Sequence, residues 1–186
     1  ASDLHYELQE EELEWFSEDP IFGYANRRAA MENESRYIVD EFLNQCAENE
    51  KIEFILIPGD IANEGRAVKQ QHLEVVEKFR KFEQETGKQI YVINGNHDAG
   101  KRKKEGETSL EEFREIYYEF GFSEALSTME GNLSYTVDLN EKYRLIASDS
   151  CDINRSTGDG MTEDRVEWVV KEAEKAIAEG KYPILM

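Results

Sequence analysis

Two stretches decide the fold: Ile52-Glu53-Phe54-Ile55-Leu56-Ile57-Pro58-Gly59-Asp60 and Gln89-Ile90-Tyr91-Val92-Ile93-Asn94-Gly95-Asn96-His97-Asp98. Each begins as a short, nearly continuous apolar run, the pattern of a strand buried on both faces. Each then breaks at glycine into amide and carboxylate side chains. Between them, Arg66 to Thr86 carries Val68, Leu73, Val76, Phe79 and Phe82 at helical spacing, with Gly87 as a stop signal. Strand, helix and strand within about 45 residues predict a parallel βαβ unit.

Working outward, Ser35 to Glu50 has helical periodicity, with Tyr37, Ile38, Phe42, Leu43 and Cys46 expected on one face. Downstream, Thr108 or Ser109 followed by Glu111 and Glu112 predicts a capped helix running to Phe120 and stopped by Gly121. Asn132 to Leu139 and Tyr143 to Ser148 alternate like two strands joined by a short polar turn. Thr162 to Gly180 reads as an amphipathic helix with Val166, Trp168, Val169, Ala173 and Ile177 apolar, and Tyr182 to Met186 opens a last strand. The class is α/β. Its 186 residues suit one domain. Starting at Ala1 close to a polar motif and stopping at Met186 within an apolar run, residues 1–186 read as an amino-terminal fragment truncated at both ends.

Asp and Glu number 41 against 22 Lys and Arg, a formal charge of −19. Such a field repels nucleic acid polymers and anionic membranes, although a bound metal can reverse its sign locally. With 39% hydrophobic residues a core can form, yet no run approaches a membrane segment of about 20 residues. Two cysteines make no disulfide framework, and Cys46 falls on the apolar face of its helix. Neither compartment is indicated.

Three polar clusters sit where strands should end, the place where ligands bind in open α/β sheets. In Asp3-Leu4-His5 an extended chain would put a carboxylate and an imidazole on one side, a donor pair suited to a first-row divalent metal. A plain polar cap is the simpler reading of the same three residues. Gly59-Asp60 is an ordinary turn or else a carboxylate able to bridge two ions. Asn94-Gly95-Asn96-His97-Asp98 is not followed by a partner strand, which weighs against a hairpin. Asn96 offers a neutral oxygen to a metal, His97 a proton donor near neutral pH, and Asp98 an acceptor to orient that imidazole. Lys101 to Lys104 is a basic loop that can attract phosphate or simply be solvated. Glu7 to Glu14 reads as a solvent-facing acidic run, and Cys151 to Met161 as a loop offering Asn154 or Arg155 to a substrate. His72, mid-helix, is expected in a solvated or core-edge position. Asp149, at a strand end, is expected to support the site or cap the strand.

As an ordered set, Asp-x-His, Gly-Asp and Gly-Asn-His-Asp, each after an expected strand, resembles the calcineurin-like metallophosphoesterase superfamily. Ser2 to Tyr6, Gly59 to Gly65, Tyr118 to Phe122, Leu133 to Tyr135, Ala147 to Ser150 and Glu167-Trp168 look like a bacterial branch that includes cyclic-nucleotide phosphodiesterases. The resemblance implies an α/β/β/α sandwich and two divalent ions of the Mn, Fe or Zn kind. It implies Asp3 and His5 on the first ion, Asp60 bridging, Asn96 on the second, and His97 as acid supported by Asp98. The implied reaction is hydrolysis of a small phosphoester, a phosphodiester such as a cyclic nucleotide first, by a metal-activated hydroxide. A protein phosphatase or phosphomonoesterase would use the same site, and a non-catalytic scaffold would need none of these residues. The family adds further histidines downstream, whereas this chain holds only His5, His72 and His97. The expected strand before Asp3 and those histidines fall outside residues 1–186, so residues 1–186 alone are expected to be almost inactive and to bind metal weakly, with exposed edges that favour self-association.

Overall fold

The computed structural model describes residues 1, 3–7, 32–63, 68–100, 108–151 and 160–186. Its elements run α1 (Glu32–Glu48), β1 (Phe54–Pro58), α2 (Lys69–Thr86), β2 (Gln89–Ile93), α3 (Leu110–Ile116), β3 (Ser127–Thr128), β4 (Tyr135–Asp138), β5 (Tyr143–Ala147), α4 (Glu163–Ala178) and β6 (Tyr182–Leu185). β1 and β2 pair in parallel from Phe54↔Gln89 to Pro58↔Ile93, with α2 as the crossover that parallel pairing demands. A second sheet has the order β3-β4-β5-β6. Its first two pairings are antiparallel and the last, across α4, is parallel. The architecture is mixed α/β, as expected.

One buried cluster joins both sheets. It takes Ile55 and Ile57 from β1, Ile90 to Ile93 from β2, and Val75, Val76, Phe79 and Phe82 from α2. Tyr135, Val137, Leu145 and Ala147 enter it from the second sheet, and the Tyr135 hydroxyl donates to Val92 O at 2.8 Å. Burying each Val, Leu, Ile or Phe side chain among them contributes roughly 1.5–3 kcal/mol. β1 is fully covered on one face only, since Phe54 and Leu56 stay half-buried.

Some helix faces differ from expectation. On α1 the inward row is Ser35, Val39, Leu43 and Cys46, spaced by three or four residues, whereas Tyr37 (76% exposed) and Ile38 (48%) lie off it. Leu73 is likewise exposed on α2. On α4, Arg165, Glu172 and Ala176 face inward and Val166 and Ile177 face solvent. The apolar residues of α4 outnumber the positions that its packing on the sheet covers. α3 has the expected capping box between Ser109 and Glu112 but ends early, at Ile116. α2 ends at Gly87, whose N–H donates to Glu83 O at 2.8 Å.

The amino-terminal segment lies against the carboxyl end of β1. Asp3 N donates to Gly59 O at 3.2 Å, His5 N to Asp60 O at 3.0 Å and Tyr6 N to Ile61 O at 3.0 Å. All three polar clusters therefore meet at one edge. Among the described residues, no helix is long and apolar enough to cross a membrane. Lys101 to Lys104, residues 8–14 of the acidic run, Gly65, Asn154 and Arg155 lie outside the described residues.

Candidate metal centre and active site

The loops after β1 and β2 touch through their glycines. Gly59 has φ +96°, and a Cβ there would lie 2.6 Å from Gly95 N. A Cβ on Gly95 would strike Asp60 at its Oδ1 and backbone nitrogen. Only this close approach lets the Asp60 carboxylate lie over the β2 loop, where Oδ1 accepts the His97 N–H at 3.2 Å.

Asp60 Oδ2 is 3.8 Å from His5 Nε2, and His5 Nε2 is 3.8 Å from Asp3 Oδ1. One ligand atom from each of Asp3, His5 and Asp60 lies within 4.8 Å of the others. Among the described residues, these same three are the non-glycine residues with positive φ, at 56°, 42° and 47°. The Asp3–His5 segment is thus not extended, as alternation had suggested; its side chains converge through left-handed backbone instead. Each such residue costs about 1–2 kcal/mol, and strain of this kind persists where the surrounding structure dictates it. His5 Nδ1 is buried with no hydrogen-bond partner among the described residues.

The His97 ring stands nearly perpendicular to that of His5, with centroids 5.0 Å apart. His97 Nδ1 is 2.7 Å from Asn63 O. A carbonyl only accepts, so Nδ1 carries the hydrogen and Nε2 is left for chemistry. Asn96 is exposed on the turn between Gly95 and His97.

Asp98 does not orient the imidazole, contrary to the expectation from its neighbouring position. Its Oδ1 accepts the N–H groups of Ile61 (2.9 Å) and Ala62 (3.0 Å), and its Oδ2 accepts that of Gly95 (2.8 Å). The turn points the carboxylate inward to loop donors that would otherwise be buried unpaired. Complete burial raises its pKa to about 7 against the pull of these donors, and Asp60 adds to the rise. His72 is also fully buried rather than at a solvated edge. Its Nε2 donates to Asp98 O and its Nδ1 accepts from the Tyr117 hydroxyl, both at 2.9 Å. Asp149 supports the same loop from β5: Oδ1 accepts from Asn94 Nδ2 at 3.3 Å and Oδ2 from Leu133 N at 3.3 Å.

The pattern of the whole chain, compared with known families, matches calcineurin-like phosphoesterase over residues 1–184. The chain belongs to the calcineurin-like phosphoesterase family. None of the curated proteins compared matches it. Calcineurin-like phosphoesterases are metal-dependent phosphoester hydrolases that typically bind two ions, so membership implies a phosphoester substrate. A nitrogen and two carboxylates at one point fit a divalent first-row ion. Sequence patterns left out Asn63 and Glu7, which lie behind His97 in this calcineurin-like phosphoesterase. Glu7, read as part of a solvent-facing run, is buried. A backbone carbonyl beside a histidine has no side-chain signature in the sequence.

Proposed function

We propose that the chain hydrolyses a phosphodiester, a small cyclic nucleotide being the first candidate. The observation that carries this reading is the convergence of Asp3, His5 and Asp60 within 4.8 Å, with the His97 ring 5.0 Å from that of His5. Asp3, His5 and Asp60 would hold one divalent ion of the Mn, Fe or Zn kind, and Asp60 with Asn96 would reach a second. Two such ions acidify a shared water and clamp phosphoryl oxygens. His97, with Nδ1–H committed to Asn63, presents Nε2 to the departing oxygen and in its charged form gives up the proton there. Asp98 holds the two loops in place. The formal charge of −19 favours a monoanionic diester over a dianionic monoester or a polyanion. The cyclic-nucleotide branch rests on the stretches around Tyr118 to Phe122 and Leu133 to Tyr135, and the two sheets would form the inner layers of an α/β/β/α sandwich.

Full-length protein, depleted of metal and reloaded with Mn, Fe or Zn, tests the reading on cyclic nucleotides, nitrophenyl diesters and nitrophenyl monoesters. Metal-dependent turnover of diesters is expected. His97→Ala should lower it by about 10²–10⁴-fold with metal content retained, and less for nitrophenol leaving groups, which need little protonation. Preference for monoesters would make the protein a phosphomonoesterase. Absence of turnover on every ester would remove the catalytic reading.

A further inference from the structure

We infer that Asn63 and Glu7 are positioning residues for His97, setting its ring through a carbonyl of the Asp60 loop. The inference rests on His97 acting as the acid. The Asn63 carbonyl that receives His97 Nδ1–H at 2.7 Å is held from both sides. Its own N–H donates to Tyr6 O at 3.0 Å, and its side-chain Nδ2 donates to Glu7 Oε2 at 3.0 Å. Both residues are 5% exposed. Glu7 is anchored in turn, its N–H donating to Ser35 Oγ on α1 at 3.2 Å. Tyr6 runs beside Ile61, so the same strip of chain that carries Asp3 and His5 also fixes the residue behind His97.

This arrangement has a cost and a use. A buried carboxylate loses its hydration, and the charge-assisted bond from the Asn63 amide offsets part of that loss. A turn after β1 could be closed by Asn63 backbone bonds alone, without a carboxylate beneath it. What the carboxylate adds is a fixed orientation for the Asn63 peptide, and through it for the imidazole. The proton that His97 transfers leaves Nε2 for the leaving-group oxygen, whose bond to phosphorus breaks. The neutral ring that remains is the Nδ1–H tautomer, already matched to Asn63 O, so no ring flip or tautomer change intervenes.

Imidazole ¹⁵N spectra of the 186-residue chain provide a readout independent of turnover. His97 is expected as the Nδ1–H tautomer, becoming a mixture in Asn63→Ala and Glu7→Ala. A wild-type ring protonated at Nε2 in its neutral form would overturn the inference even if neither variant folds. In metal-loaded protein, each variant should lower kcat for an alkyl leaving group by about 10–100-fold, with KM and metal content unchanged. The loss should be small for nitrophenol, no larger in the double variant, and mostly recovered in Glu7→Gln, which keeps an acceptor. Equal losses on both leaving groups, additive losses, or loss of metal would assign Asn63 and Glu7 to folding alone. His97→Ala, assayed in parallel, separates the two ideas. If its own loss ignores the leaving group, the acid reading of His97 fails. If it depends on the leaving group while Asn63→Ala behaves as wild type, only the positioning inference fails.

Discussion

Asp60 links the two loops at the site, with one oxygen accepting the His97 N–H and the other facing His5. Asp60→Asn keeps the shape but replaces one oxygen with an N–H₂ group and removes the charge. Metal and activity should disappear together, measured by mass spectrometry of bound metal and by turnover; two firmly bound ions with normal turnover would reject the bridging role. Asp98 makes a different case, because it binds backbone. Asn at position 98 would turn a donor toward one of the N–H groups it now accepts, leaving it unsatisfied at a cost of about 1–3 kcal/mol. The charge state adds a pH dependence to metal-free protein. Its folded pKa, about 7, lies above the unfolded value, so the folded state holds a proton that the unfolded state has released. The associated stability is complete below about pH 4 and is lost as pH rises through 7, at most about 4 kcal/mol in all. Urea titrations should therefore show the advantage of wild type over Asp98→Asn shrinking between pH 5 and 8. An advantage that grows over that interval would mean that the three N–H donors outweigh burial.

At the scale of elements, the meeting of the β1 and β2 loops is what makes the site, and Gly95 is its tightest point. Gly95→Ala should destabilise the fold by about 1–3 kcal/mol through overpacking and displace the Asp60 carboxylate, weakening metal binding as well. Calorimetry of metal binding beside a thermal melt checks both; unchanged values for the two would show that the loops part freely. The strands and α2 were legible in the sequence because Phe54 to Ile57 and Gln89 to Ile93 flank a long periodic helix. The face of α1 was not, since Tyr37 and Ile38 are apolar but miss the row through Val39 and Leu43. The site divides in the same way. Side chains with characteristic chemistry, Asp3, His5, Asp60 and His97, could be picked out in advance. The support of His97 by Asn63 O, and of the loops by Asp98, depends on backbone groups that every residue possesses.

For the whole molecule, charge and exposed apolar surface act against each other. Val166, Val170 and Ile177 on α4 and Tyr182 and Leu185 on β6 are all exposed, and β6 ends the order of the four-stranded sheet. Among the described residues β6 has no strand on its outer side, and such an edge beside apolar side chains favours pairing with a second copy. Two chains of formal charge −19 repel each other, most strongly at low salt. At 0.01 M salt that repulsion reaches about 30 Å, and at physiological ionic strength about 8 Å, while burial of apolar groups is not screened. The 186-residue chain should therefore be monomeric at low salt and self-associate as salt rises, the reverse of an assembly held by ion pairs. Sedimentation across that range, with Leu185→Lys and Ile177→Lys for comparison, measures the balance. The substitutions should keep the chain monomeric at physiological salt without altering metal binding, because neither residue touches the Asp3, His5 and Asp60 cluster. Association that weakens with salt, or that persists in both variants, would place the contact elsewhere on the molecule.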